Sequence, residues 1–270
     1  MKNRVLLVIL VMAVIYVFSL ATAKAEESPP HKYTAQEVAE ALADPSATIS
    51  YFNLSYRSYM NVGPKDDTNQ EYRLNGAGFF NLPNAGSVFY RAFLPTYINK
   101  FPVDDSGVGD VLLSAYWVPK KGEFILGYGA ALIAPTASED WFGTGKWSAG
   151  PTIVIAKKVP GKYTLGGLAT HVWSFAGEGD RSDVSMTTLQ PAVTYFLGRG
   201  TSVSLTSETT YNWEADEDNW QIPVTVGIGQ ILPPLGKFFV GVGLGASYYI
   251  EKNDFAPEWD VRAVVSIVVP

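Results

Sequence analysis

The chain has no cysteine and only two histidines in 270 residues. The first absence excludes disulfides, thiol chemistry and cysteine metal sites. The second leaves little for imidazole catalysis, with His31 near the start and His171 deep in the chain. Beyond residue 25 no apolar run approaches the roughly 20 residues that a spanning helix needs. Basic side chains are also few, 20 Lys and Arg against 26 Asp and Glu. Setting aside Lys2, Arg4 and Lys24 leaves 17 against 26, a formal charge of −9, which disfavours nucleic acid as a partner.

Several motifs fail on inspection. Gly145-Lys146 lacks the earlier glycine of a phosphate loop, Asp140 standing in its place, and Trp147 follows where a hydroxyl is needed. Gly241, Gly243 and Gly245 alternate along a strand-like run instead of opening a helix, which excludes a dinucleotide fingerprint. Glu214, Asp216, Glu217 and Asp218 lack calcium-loop spacing and read as a solvated loop. No cofactor, metal site or catalytic residue is expected.

What the chain does have begins with a secretory signal. Residues 1–25 carry Lys2 and Arg4, an apolar run from Val5 to Leu20, and small residues at Ala21, Ala23 and Ala25, with cleavage expected after Ala23 or Ala25. Residues 26–48 read as an N-terminal periplasmic segment with one helix over Tyr33 to Asp44. Thr34 and Glu37 form a capping box and Pro45 stops the helix. A short lid or solvated tail is the plain reading of this helix; a plug entering the pore is the other.

Residues 49–270 alternate bulky and small residues at period two. Trp220, Ile222, Val224, Val226 and Ile228 oppose Gln221, Pro223, Thr225, Gly227 and Gly229, and the next two runs repeat the scheme. The small face carries glycines more than charges, so the bulky face suits lipid and the small face a wet or crowded interior. Twelve such runs extend from Ser50 to Val269, the seventh with ambiguous parity that suggests a bulge. Tight turns such as Pro83–Gly86 and Gly198–Gly200 alternate with longer acidic loops such as Glu214–Asp218. This predicts an all-β fold: a closed antiparallel transmembrane β-barrel of about 12 strands, both ends on the side of the short turns.

The blocks Ser106–Asp110, Phe142–Thr152, Gly166–Gly177, Leu189–Pro191 and Pro257–Arg262 resemble the bacterial outer-membrane transporter family labelled MetA-pathway of phenol degradation. The resemblance runs from Ala35 to the end. It implies a barrel of the Gram-negative outer membrane and a channel for small hydrophobic or aromatic solutes. The expected partners are outer-membrane lipid and lipopolysaccharide, the barrel-assembly machinery, and a small-molecule solute.

Parity turns Arg57, Arg73, Arg91, Asp110, Gln190, Glu208, Asp260 and Arg262 inward, as candidate pore-lining residues. They set a charged constriction or pack a narrow lumen shut as ion pairs. The alternative functions are a closed structural or receptor barrel and a lipid hydrolase pairing outward-facing His171 with Ser185. The seven tryptophans lie near strand ends or in adjoining loops, as an interfacial girdle does. Phe79, Phe89, Phe93 and Tyr116 share the inward parity, either as filler or as a slide for hydrophobic solute.

Overall fold

In the computed structural model, residues 33–119 and 122–270 are described. The expected signal segment and the turn residues Lys120 and Lys121 lie outside them. The chain opens with helix α1 (Ala35–Ala43), shorter than expected at both ends, whose cap is the Thr34–Glu37 box. The strands are β1 (Ser50–Val62), β2 (Asp67–Asn81), β3 (Ser87–Asn99), β4 (Asp105–Val108), β5 (Val111–Val118), β6 (Phe124–Ala134) and β7 (Lys146–Val159). They continue as β8 (Tyr163–Gly177), β9 (Ser185–Gly198), β10 (Thr201–Thr206), β11 (Thr209–Asn212), β12 (Trp220–Ile231), β13 (Phe239–Glu251) and β14 (Trp259–Val269).

Every pairing is antiparallel between neighbours, and β1 closes on β14 with Ser50 opposite Val269 and Met60 opposite Trp259. Among the described strands only β4, which pairs with β3 alone, keeps one side outside the ladder; closure pairs both sides of all the others, as a sheet in hydrocarbon requires. β4 and β5 form one stave, both pairing with β3. β10 and β11 form another, both pairing with β9 and β12. The wall therefore has twelve staves, each tight turn at one end and each longer loop at the other.

Both interruptions stand opposite proline. Pro95 accepts from the Gly109 amide at 2.9 Å, and Pro191 from the Ser207 amide at 3.0 Å. Neither proline has an N–H to return, so the ladder lapses there. The register around Pro95 also gains one residue, with Phe93 opposite Leu112 but Thr96 opposite Val108, which is a bulge. The residues at the two breaks include Asp110 and Glu208.

The bulky faces point outward. Val226, Leu244 and Tyr248 are each more than 60% exposed, and Leu126, Ile153, Ile155, Leu165, Leu205, Ile228 and Val265 continue the belt. Their neighbours one step along each strand face the lumen. The seventh stave, β8, carries Leu168 and Val172 buried inward and Leu165 and Trp173 outward. The irregularity expected there lies at its loop end: Trp147 stands opposite Ala176 but Ser148 opposite Ser174, so Phe175 is the extra residue of a bulge in β8.

Two apolar clusters fill the turn end of the lumen. Phe89, Tyr116, Val118, Ile125, Val154, Ala156 and Leu168 pack together, with Phe79 against them, and Phe89 stacks on Tyr116 at 5.7 Å. Val38 and Ala39 of α1 pack with Ile49, Ile231, Phe239 and Val268. α1 is therefore not a solvated tail: it packs against the lumen-facing Ile231, Phe239 and Val268 and occupies the turn-end mouth of the barrel.

Candidate functional site: the lumen

The charged side chains of the lumen gather at one level on facing walls. Arg57 on β1 stands opposite Arg262 on β14 and Glu71 on β2 in the ladder, which places like and unlike charges side by side. Arg73 Nε lies 2.6 Å from Glu71 Oε1, and the Tyr59 hydroxyl donates to Glu71 Oε2 at 2.5 Å. Arg262 Nε lies 3.3 Å from Asp260 Oδ1, and its Nη2 donates to Ser247 Oγ at 2.6 Å and Thr225 Oγ1 at 3.2 Å. Tyr249 donates to Asp260 Oδ2 at 3.2 Å.

Glu208 joins this group from across the barrel. Its carboxylate lies 3.5 Å from Arg57 Nη2 and 3.4 Å from Arg73 Nη1, and accepts from Gln190 Nε2 at 3.4 Å. The stave carrying Glu208 is four steps round the wall from β1, roughly 19 Å along the sheet at the usual strand spacing. Ion-pair distances over that separation require the side chains to meet across the interior. The break opposite Pro191 loosens the chain where Glu208 leaves the wall.

The network balances. Arg57, Arg73 and Arg262 face Glu71, Glu208 and Asp260, and Arg57 also lies 3.8 Å from Glu71 and 4.0 Å from Asp260. Asp260 and Glu71 are 0% and 2% exposed. Buried carboxylates of this kind persist because each is paired and hydrogen-bonded. Glu71 and Tyr59 are members that residue parity alone did not select. Their shared parity with Arg73 and Arg57 was the available signal. It was obscured because the polar run Asp67–Glu71 reads as loop, whereas in the structure it is the start of β2.

Two of the eight candidates stand apart. The Asp110 carboxylate accepts from the amides of Thr136, Ala137 and Thr144 at 3.1, 3.2 and 2.7 Å, and from Thr144 Oγ1 at 3.0 Å. It ties down the loop between β6 and β7. Arg91 lies nearer the turn end, its Nε 3.4 Å from Ser114 Oγ and its guanidinium 5.2 Å from the centre of the Phe93 ring.

Below the network the lumen holds two cavities, both floored by α1. One of about 210 Å³ is bounded by Arg91, Tyr51, Phe89, Tyr116, Leu168 and Gln190. The other, about 310 Å³, runs along Ser202, Ser204 and Thr206 and the glycines of β12 and β13 up to Arg262. The floor is tied to several walls. Asp44 Oδ2 pairs with Lys158 Nζ at 2.6 Å, Glu40 accepts from the Gly161 amide at 3.1 Å, Gln36 accepts from the Gly200 amide at 3.1 Å, and the Tyr116 hydroxyl donates to the Pro45 carbonyl at 3.0 Å. Gly200, at φ +81°, lets the β9–β10 turn come against Ala35.

His171 faces outward, but not towards Ser185. Its Nδ1 meets Thr187 Oγ1 at 2.7 Å, while Ser185 sits opposite Trp173. The imidazole packs 4.1 Å from Trp173 and 6.3 Å from Trp213, between ring centres. The Ser–His pair of a barrel hydrolase is not formed; the histidine belongs to an outward aromatic cluster at the loop end. Phe89 and Tyr116 stack on each other within the wall cluster and edge the smaller cavity, a local pair of rings and not a continuous aromatic slide.

No family model and no curated protein matches the chain. Among solved structures the barrel is similar to an outer membrane channel from Pseudomonas putida F1, at 18% identity and a TM-score of 0.64, covering 90% of this chain and 99% of that one. It is also similar to the NanC porin, at 10% identity and a TM-score of 0.55, covering 82% and 99%. At such identities the likeness is one of fold: a barrel of the outer-membrane channel and porin type.

Proposed function

We propose that the chain is a barrel of the Gram-negative outer membrane through which small solutes cross passively, down their concentration gradient. The observation that carries this reading is the lumen itself. Beneath an outward apolar belt it holds cavities with polar side chains in their walls and a charged network that includes Arg57, Arg73, Gln190, Glu208, Asp260 and Arg262. A wall this costly in buried charge is expected where water and solute pass, whereas a purely structural barrel gains more from apolar packing. Solute enters from the acidic loop end, meets the network, and leaves past α1. The resemblance to phenol-degradation transporters favours aromatic solutes.

A closed structural barrel is the second reading, favoured by the charge-neutral ion pairs that bridge the lumen and by the helix across the turn end. The two readings part in a planar bilayer. Purified full-length protein is expected to give small, stable conductance steps, and liposomes carrying it to swell faster in phenols and aromatic acids than in disaccharides. Silence in both assays would leave the closed barrel standing.

A further inference from the structure

The smaller cavity has the composition of a binding site and not merely of a passage. Arg91 is the charge left over in the lumen: the three arginines of the network face three carboxylates, whereas Arg91 has no carboxylate within ion-pair distance among the described residues. Its one hydrogen bond uses Nε, at a long 3.4 Å to Ser114 Oγ, so both terminal amino groups are unpartnered there. The acidic group nearest the cavity floor, Asp44, is committed to Lys158 at 2.6 Å. The guanidinium carbon lies over the Phe93 ring, 5.2 Å from its centre, within cation–π reach.

The remaining walls are flat and mostly apolar. Phe89 and Tyr116 form a stacked shelf, Leu168 faces it, and the cavity reaches Gln190. The Tyr116 hydroxyl is spent on the Pro45 carbonyl, while among the described residues the Tyr51 hydroxyl has no partner. A planar guanidinium with a free edge matches a carboxylate by two parallel hydrogen bonds. An aromatic shelf beside it takes a ring. At about 210 Å³ the space lies below the roughly 300–1,000 Å³ of sites for drug-sized ligands, so it suits a single ring and excludes a disaccharide.

We propose that this cavity is a binding site for single-ring aromatic carboxylates, with Arg91 holding the carboxylate and the Phe89–Tyr116 shelf holding the ring. The inference rests on the channel reading above and narrows its solute class: aromatic acids pause here between the charged network and α1.

Benzoate, benzyl alcohol and acetate are the probes, titrated calorimetrically against the full-length protein in detergent. Benzoate is expected to bind, and the neutral alcohol and the ringless acid each at least tenfold more weakly. Arg91→Gln should weaken benzoate by about 10- to 100-fold, as loss of a charged hydrogen-bonded partner does. Arg91→Lys, which keeps the charge and loses the fork, should fall between. Barrel integrity of each variant is read from its β-sheet circular dichroism.

Equal benzoate affinity in folded Arg91→Gln and wild type would overturn the role of Arg91, and equal affinity for acetate and benzoate would overturn that of the shelf. Ion conductance without benzoate binding would sink this site and leave the channel reading intact. Benzoate binding with no conductance would do the reverse.

Discussion

Arg57→Ala and Glu208→Gln are expected to move the ion preference of the barrel in opposite directions. The network brings three arginines and three carboxylates to one level of the lumen, so removing a guanidinium leaves it negative and neutralising a carboxylate leaves it positive. A unit charge about 4 Å away is worth about 4 kcal/mol at an effective dielectric constant of about 20. About a third of that already changes relative occupancy tenfold. Reversal potentials under a KCl gradient should therefore shift towards cations in Arg57→Ala, towards anions in Glu208→Gln, and back near wild type in the double variant. Shifts of the same sign, or none, would place the network outside the conduction path. Arg57→Ala also removes one of the two cations beside Glu71 and one of the two beside Asp260, both carboxylates nearly inaccessible to solvent, while Arg73 and Arg262 stay. The cost should fall below the about 3–5 kcal/mol of a fully broken buried pair, and unfolding in denaturant should still come at a lower concentration for this variant.

Replacing residues 34–44 with a glycine-serine linker of equal length should raise conductance severalfold. α1 floors both cavities and is held by apolar packing of Val38 and Ala39 together with four polar ties to the turns and strands of the wall. Each fully buried aliphatic side chain contributes about 1.5–3 kcal/mol, enough to keep the helix seated. Without it the cavities open directly at the turn end. The lumen side chains of β1 to β14 remain, so ion preference should stay that of wild type while the step size grows. An unchanged step size in a barrel that keeps its β-sheet signal would show that α1 does not obstruct the path.

The barrel was legible in the sequence because it rests on period two, and period two survives any ambiguity about strand ends. Val224, Val226 and Ile228 fall on the exposed face and Thr225 and Gly227 on the inner one, as their alternation requires. The segregation of tight turns from acidic loops gave the direction of each stave. Arg57, Arg73, Glu208, Asp260 and Arg262 could be named from parity. Their partners could not, because the contact of Glu208 with Arg57 depends on closure and on a local break set by Pro191. Asp110 shows the limit of parity. It sits at a bulge beside Gly109, where a loop supplies three backbone amides that no strand pattern announces. The place of α1 was hidden for a related reason: its apolar stripe is short, and the residues that receive it, Ile231, Phe239 and Val268, lie at the far end of the chain.

All of this depends on which face of each strand meets lipid. The absence of native cysteine allows that to be measured one residue at a time. Ser204 borders the larger cavity and Leu205, its neighbour on β10, belongs to the outward belt. In membranes carrying Ser204→Cys or Leu205→Cys, a charged, membrane-impermeant thiol reagent should modify the first and spare the second. Labelling of the cysteine at 205 with protection of that at 204 would mean that the greasy faces do not point into the bilayer.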